Sequence, residues 1–179
     1  IGMNEMILRE SEDEDIRGYA GNIDMASRNL LSLINDILDF SKIESGKSEI
    51  EEGEYEPGHI ISDAYNMIQL RAKQKKLEVK VCVEETLPYK LKGDGKHIKQ
   101  VLVNLLSNAV KYTAKGHVIL EVSGEKTSED MIQLKFQVKD TGIGIRKENL
   151  EKIFNDFERL DLKQNHNIEG TGLGLAISY

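Results

Sequence analysis

Three groups of residues in this chain have the types and spacing to do chemistry. Gln100, Asn104, Asn108 and Lys111 recur at three- and four-residue intervals, which on a helix puts them on one face. Asparagine is a poor helix-interior residue because its side chain competes for backbone hydrogen bonds. Two at i and i+4 with a lysine three further on therefore suggest a site, the alternative being a solvated polar face. An asparagine carbonyl oxygen is a hard ligand. Mg²⁺ takes one or two such protein oxygens and completes its shell with phosphate oxygens and water, and Lys111 could then meet the phosphates. The second group is Asp140-Thr-Gly-Ile-Gly-Ile145, at the end of an alternating run. A carboxylate placed there can accept from an exocyclic amine such as that of adenine, and Gly142 and Gly144 let the backbone approach a flat ring. By itself a Gly-x-Gly turn is common. The third group is Gly170-Thr-Gly-Leu-Gly-Leu175, ahead of a helix start at 176–179. Alternate glycines before a helix expose N–H groups and the positive end of the dipole, which can cradle phosphate. The segment lacks the Gly-Lys-Ser/Thr of a Walker loop, and no strand directly precedes it as a dinucleotide fingerprint requires. A flexible turn is the plainer alternative.

Between the second and third groups lie Phe154 and Phe157, followed by Glu158 and Arg159. Two aromatics three apart are most often core. Residues 160–169 are polar and aperiodic, and a loop of this length in a compact domain is often a lid. Of the four histidines, His59 and His117 stand at element starts, His97 falls in the first turn of the asparagine helix, and His166 lies in the lid segment. His97 reads as a surface residue. His166 reads as a solvated loop histidine, with a phosphate contact as the alternative.

The elements that would position these groups follow from hydrophobic period. Residues 1–9 read as a helix with Met3, Met6, Ile7 and Leu8 as its apolar positions. Residues 10–15 hold five acids in six, read as a turn into a helix N-terminus, where negative charge suits the dipole; an interaction site is the alternative. From Ile16 the pattern is heptad: Ile16, Ile23, Leu30 and Ile37, with Tyr19, Ala26, Leu33 and Phe40 three residues later. Leu31, Ile34 and Leu38 widen the stripe, which suits a bundle. A helix over 14–44 would be about 46 Å long, and its stripe needs a partner. Gly46 and Gly53 break the pattern. Beyond them the reading is a strand at 48–52 and a helix from Pro57 carrying Ile60, Ile61, Ala64, Ile68 and Leu70. That helix ends in Arg71, Lys73, Lys75 and Lys76, cations suited to a helix C-terminus. Strands are expected at 77–83, 118–122 and 132–138, with a helix over 95–112 whose apolar stripe is Ile98, Val101, Leu102, Leu105, Ala109 and Tyr112.

Composition narrows the class. The 179 residues are 39% hydrophobic and 31% charged, enough apolar mass for a core. A net charge of −7 argues against a broad nucleic-acid face or an anionic-membrane face, while allowing a local phosphate pocket. Cys82 is the single cysteine, so no intrachain disulfide or cysteine metal cluster can form. No run of apolar residues is long enough to span a bilayer, and Ile1 opens without a basic signal-peptide region, so a cytoplasmic setting is expected.

The order of the groups is more specific than any one of them. QVLVNLLSNAVKYT, DTGIGI, IFNDFERLD and EGTGLGLAIS, in that sequence, resemble the N box, first glycine box, F box and second glycine box of the ATP-binding catalytic domain of sensor histidine kinases. LPYKLKGDGKHIKQ ahead of the N box agrees, and LLSLINDILDFSKIESGK resembles the second helix of that family's dimerisation and phosphotransfer hairpin. The resemblance implies an α+β fold in two parts. Residues 1–45 would form a helical hairpin, half of a dimeric four-helix bundle. Residues 46–179 would form an α/β sandwich of Bergerat type, with a mixed sheet covered by helices. It implies ATP and Mg²⁺ as cofactors, with Asn108 the main metal ligand and Asn104 its neighbour. Lys111 would contact phosphate, Tyr112 would pack near adenine, and Asp140 would take the adenine amine above a floor of Gly142 and Gly144. Phe157 and Arg159 would belong to the F box and lid, and Gly170, Thr171, Gly172, Leu173 and Gly174 would cradle phosphates. It implies phosphoryl transfer to a histidine and relay to a response-regulator aspartate, with a homodimer through residues 16–40 and a receiver domain as partners. The family's acceptor histidine is followed by an acid; here Ile, Ile, Val and Asn follow His59, His97, His117 and His166. The acceptor is therefore expected upstream of Gly2 and the final strands beyond Tyr179, and this stretch alone is expected not to phosphorylate itself. The related gyrase, mismatch-repair and chaperone ATPases resemble one another in carrying a glutamate where Asn104 stands.

Overall fold

The computed structural model describes residues 2–46 and 49–150. The expectations for Phe157, Arg159, the 160–169 segment, Gly170, Thr171, Gly172, Leu173 and Gly174 lie outside them. The chain divides into two compact units, Ile1–Ser48 and Glu49–Tyr179.

The first unit holds α1 (Gly2–Glu10) and α2 (Glu14–Glu44). The acidic run is a helix start. Asp13 caps α2, accepting from the N–H groups of Asp15 at 2.9 Å and Ile16 at 3.1 Å. At the other end Gly46 takes φ 63°, a left-handed conformation that stops the helix at low steric cost to glycine. The two helices meet where Ala20 has too small a side chain to hold them apart. There the Asn4 amide donates to the Ala20 carbonyl at 2.8 Å, and both residues are buried. The expected apolar face of α1 is thereby corrected: Met3, Met6 and Ile7 are exposed and Asn4 is the inward residue. The heptad stripe of α2 is uncovered, Ile16, Tyr19, Ile23, Leu30, Leu33 and Ile37 all being exposed.

The second unit runs β1 (Gly53–Tyr55), α3 (Pro57–Gln74), β2 (Glu78–Val83), β3 (Leu91–Gly93), α4 (Gly95–Tyr112), β4 (His117–Lys126), β5 (Ile132–Asp140) and a 3₁₀ turn at Lys147–Asn149. β2 pairs in parallel with β4, and β4 antiparallel with β5, so this sheet is mixed, in the order β2-β4-β5. One face of it presents Val118, Leu120 and Val122 to a core built with Ile60, Ile61, Ala64, Ile68 and Ala72 of α3 and Leu102, Leu106, Ala109 and Val110 of α4. The opposite face carries Lys135, Gln137 and Lys139, which are exposed, as expected of a sheet solvated on one side.

Several expected details change. The first strand is Gly53–Tyr55, not 48–52, because its partner β3 lies opposite those three residues. The Glu51 N–H is instead taken by the Asp94 carboxylate at 3.0 Å. β4 extends past 122 to Lys126, since its pairing with β5 continues to the Lys126–Ile132 rung. Leu70 of α3 is exposed and Ala72 is buried. In α4 the buried stripe includes Leu106 and Val110, while Val101 and Leu105 are half-buried. The helix faces α3 and the sheet together, which rotates its inward side away from the simplest reading.

Candidate nucleotide site

The asparagine face is held by what fixes the two ends of α4. At the start Asp94 is the cap. Its carboxylate accepts from the His97 N–H at 3.0 Å, meets His97 Nδ1 at 2.6 Å and accepts from Glu51. These contacts, the His97 backbone N–H first, hold the Asp94 carboxyl down at about 2 despite its burial. His97, expected at the surface, is half-buried against this carboxylate. Further along, the Asn108 amide donates to Asn104 Oδ1 at 3.5 Å, so both side chains are on one face and both are half-buried. With its N–H engaged there, Asn108 keeps its carbonyl oxygen as a hard donor. Among the described residues no group of three His, Cys, Asp or Glu side chains is placed to hold a metal. Mg²⁺ held by one or two asparagine oxygens would fill the rest of its shell with phosphate and water. In the last turn the Lys111 ammonium stands 4.8 Å from the Tyr112 ring centroid, a cation–π distance.

The end of β5 reaches the same place. Asp140 forms the last rung of the β4–β5 ladder, opposite Val118. Its Oδ1 accepts from the Gly142 N–H at 2.8 Å, which closes the turn and leaves Oδ2 without a hydrogen bond among the described residues. The Ile143 N–H donates to the Tyr112 carbonyl at 3.4 Å. Gly142 packs so tightly that a Cβ there would stand 2.6 Å from the Tyr112 carbonyl oxygen, 2.7 Å from Asp140 Oδ1 and 3.0 Å from Thr113 Oγ1. Gly144 has φ 66°, the left-handed region that glycine enters freely. The structure thus brings Tyr112, Asp140 and Gly142 to one junction, with Asn108 and Asn104 one and two turns further up the same helix.

Two threonines beside these residues also matter. Thr113 is fully buried beside Gly142, and its hydroxyl has no partner among the described residues. Thr141 Oγ1 accepts from the His117 N–H at 3.0 Å and donates to the His117 carbonyl at 3.3 Å, pinning the glycine turn to the start of β4. Their only sequence signal is position: each directly follows a candidate residue, Tyr112 or Asp140.

A polar helix face and a glycine turn thus meet beside a mixed sheet in an α+β fold. Residues 93–179 match the model of the histidine kinase-, DNA gyrase B- and HSP90-like ATPase family. The whole segment is similar to sensor proteins. It is 38% identical to the sensory/regulatory protein RpfC of Xanthomonas campestris pv. campestris over 178 residues, covering 99% of this chain and 24% of that one. It is 37% identical to the sensor histidine kinase GacS of Pseudomonas protegens over 178 residues, covering 99% and 19%. The chain therefore spans about a quarter or less of these relatives. Among solved structures, full-length ShkA in complex with AMPPNP matches with a TM-score of 0.76 at 28% identity, over 98% of this chain and 35% of that one. The Acinetobacter baumannii histidine kinase AdeS shares the fold, with a TM-score of 0.63 at 22% identity, over 99% and 80%.

Proposed function

We propose that this chain is the kinase core of a two-component sensor histidine kinase, and that it works in the cytoplasm. In this reading it binds Mg-ATP between α4 and the 140–144 turn and delivers the γ-phosphoryl group to a histidine. From there the group passes to an aspartate of a response-regulator receiver domain. The observation that carries the reading is the convergence of Tyr112 and Thr113 with Asp140, Gly142 and Ile143 at the end of the helix that bears Asn104 and Asn108. The sensor kinases among the relatives support it, as does the AMPPNP bound by ShkA.

Each residue then has a task. Asp140 accepts from the adenine amine through Oδ2, since Oδ1 is committed to Gly142. Tyr112 packs against the ring. Asn108, steered by its amide contact to Asn104, offers its oxygen to the metal. Lys111 balances phosphate charge, and Arg159 with the glycines at 170, 172 and 174 would complete the phosphate end. Mg²⁺, when bound, would neutralise charge on the β- and γ-phosphate oxygens. The acceptor imidazole nitrogen forms a bond to phosphorus as the bridging oxygen leaves with ADP, and the imidazole proton passes to a neighbouring acid. Such transfer needs positioning and charge neutralisation more than covalent help from the protein. An ATPase of the same family would use water as acceptor and would need a base near it. Asn104 cannot act as one, which disfavours that reading and leaves a non-catalytic dimerisation segment as the other. The uncovered stripe of α2 supports a homodimer through residues 16–40.

Calorimetry with ATP, with and without Mg²⁺, tests the site. Asn108→Ala should weaken Mg-ATP more than metal-free adenosine, and equal losses would refute the metal role. Asp140→Asn should weaken all adenine nucleotides, and parent-like binding would refute the adenine assignment. With γ-labelled ATP, label should appear on a separately supplied hairpin that holds a histidine followed by an acid, and not on this chain. Phosphohistidine at His59, His97, His117 or His166 would overturn the acceptor assignment.

A further inference from the structure

A helix leaves its last four carbonyls without donors of its own. In α4 these belong to Ala109, Val110, Lys111 and Tyr112. The Thr113 N–H takes the first at 3.1 Å, and the Ile143 N–H takes the last at 3.4 Å. The middle two go to one side chain from another helix. Lys75 Nζ donates to the Val110 carbonyl at 2.9 Å and the Lys111 carbonyl at 2.7 Å. It also donates to the Thr113 carbonyl at 3.2 Å. An ammonium has three protons, and each has a carbonyl here. Sequence reading treats Lys75 as one of four cations easing the end of its own helix; its ammonium instead closes the end of α4.

The backbone around Lys75 sets this up. Lys75 is the C-cap of α3, with its N–H on the Arg71 carbonyl at 3.2 Å. Lys76 follows at φ 57°, left-handed without being glycine, and the Leu77 N–H returns to the Ala72 carbonyl at 2.9 Å. This sharp stop plants the lysine stem beside the last turn of α4, while Leu77 is buried just beyond.

We propose that Lys75 is a positioning residue of the nucleotide site. Its ammonium holds the last turn of α4, with Lys111 and Tyr112, where the Tyr112 carbonyl meets Ile143 and Thr113 meets Gly142. The proposal rests on the functional reading above. It works by pre-organisation. Without the ammonium, three carbonyls at the negative end of the helix lose their donor, the turn frays, and a smaller fraction of chains is ready to bind. Apparent affinity falls by that fraction.

The test titrates the 179-residue chain with a trinitrophenyl-ATP reporter displaced by Mg-ATP, well below each variant's melting temperature, and follows amide hydrogen exchange. Lys75→Met should weaken Mg-ATP about five- to tenfold. Exchange should accelerate at residues 109–113 and not at 60–68 of α3. Lys75→Arg, which keeps the charge but spreads its donors over a planar fork, should recover part of the affinity lost in Lys75→Met. Parent-like affinity in folded Lys75→Met overturns the proposal. So does acceleration spread evenly over α3 and α4, which would mark a merely structural lysine. If Lys75→Met does not fold, Lys75→Gln takes its place: a loss of affinity with local exchange supports the proposal, and parent-like affinity overturns it. Asn108→Ala separates the two readings. If it loses Mg-ATP while Lys75→Met binds as the parent does, only the lysine assignment fails. If the parent binds no nucleotide, the functional reading fails and the proposal falls with it.

Discussion

α2 and α4 are both amphipathic, both capped by an aspartate and both ended by a defined stop, yet only one of them is finished within this chain. α4 buries Leu102, Leu106, Ala109 and Val110 against α3 and the sheet, and all of its last four carbonyls have donors. α2 is 31 residues long and leaves its heptad stripe exposed. The hydrophobic effect is non-directional. A stripe states that a face must be covered and says nothing of whether the cover comes from the same chain. In the proposed reading the contrast also separates the roles: a helix locked at both ends can hold side chains to the precision a phosphate site needs, whereas an open stripe suits association.

The largest test of this contrast removes the same atoms from each helix. Leu106→Ala takes a side chain that is 1% exposed and should cost about 2–5 kcal/mol in the urea unfolding of the second unit. Leu30→Ala takes an exposed one and should change stability by no more than about 0.5 kcal/mol in dilute chain. Its effect should appear in self-association, and Leu30→Glu should leave monomer by light scattering. Equal costs at the two leucines would erase the contrast, and a monomeric parent at high concentration would remove the dimer.

Next in size is the junction at the end of α4. Gly142→Ala forces a methyl to within 2.6 Å of the Tyr112 carbonyl, a backbone atom that cannot swing aside. A cost of about 1–3 kcal/mol by thermal melt is expected, together with weaker adenine nucleotide binding. A silent Gly142→Ala would mean that the turn and α4 are not tightly joined.

The other end of α4 offers a pH test. Asp94→Ala should cost about 1–2 kcal/mol as a lost cap. Because its carboxyl sits at about 2, below its ordinary value of 3.8, Asp94 stabilises the fold above the ordinary value and loses that contribution as pH falls through the lower one. The stability gap between parent and Asp94→Asn should therefore be full near neutrality and close between about pH 4 and pH 2. A gap that does not change over this range would mean the carboxylate is not what His97 and Glu51 bind. The smallest effect is at Lys76, where φ is 57°. Lys76→Gly should stabilise by less than about 1 kcal/mol in chemical denaturation, relief of the left-handed strain being partly offset by glycine's backbone entropy. A loss instead would show that the lysine side chain contributes more than its backbone strain costs.

Much of this protein was legible residue by residue. The 3.6 and 2.0 periods marked α3, α4 and β5, where burial on one face imprints its period directly on the sequence, and they also marked both helices of the first unit and β2, whose apolar positions are mostly exposed here. The acidic turn and Gly46 were legible for a similar reason: caps and stops act within a few residues of themselves. The candidate residues were legible as types and spacing, since a hard oxygen, a carboxylate after a strand and a glycine turn are local features. What lay beyond reach depended on partners distant in the chain. β1 starts at Gly53 because β3 lies opposite it, and three-residue strands carry too little period to announce themselves. Leu106 and Val110 are inward because α4 faces two neighbours. Asn4 is inward because Ala20 is small. Asp140 and Tyr112 are 28 positions apart, and Lys75 is 35 to 38 positions from the carbonyls it holds. The sequence by itself determined which of the longer segments are helix or strand and which residues stand out as candidates for a nucleotide site, since those properties are written in neighbours along the chain. Only the tertiary structure decided which side chains close the end of α4, because hydrogen bonds across packed elements depend on distances that no local pattern encodes.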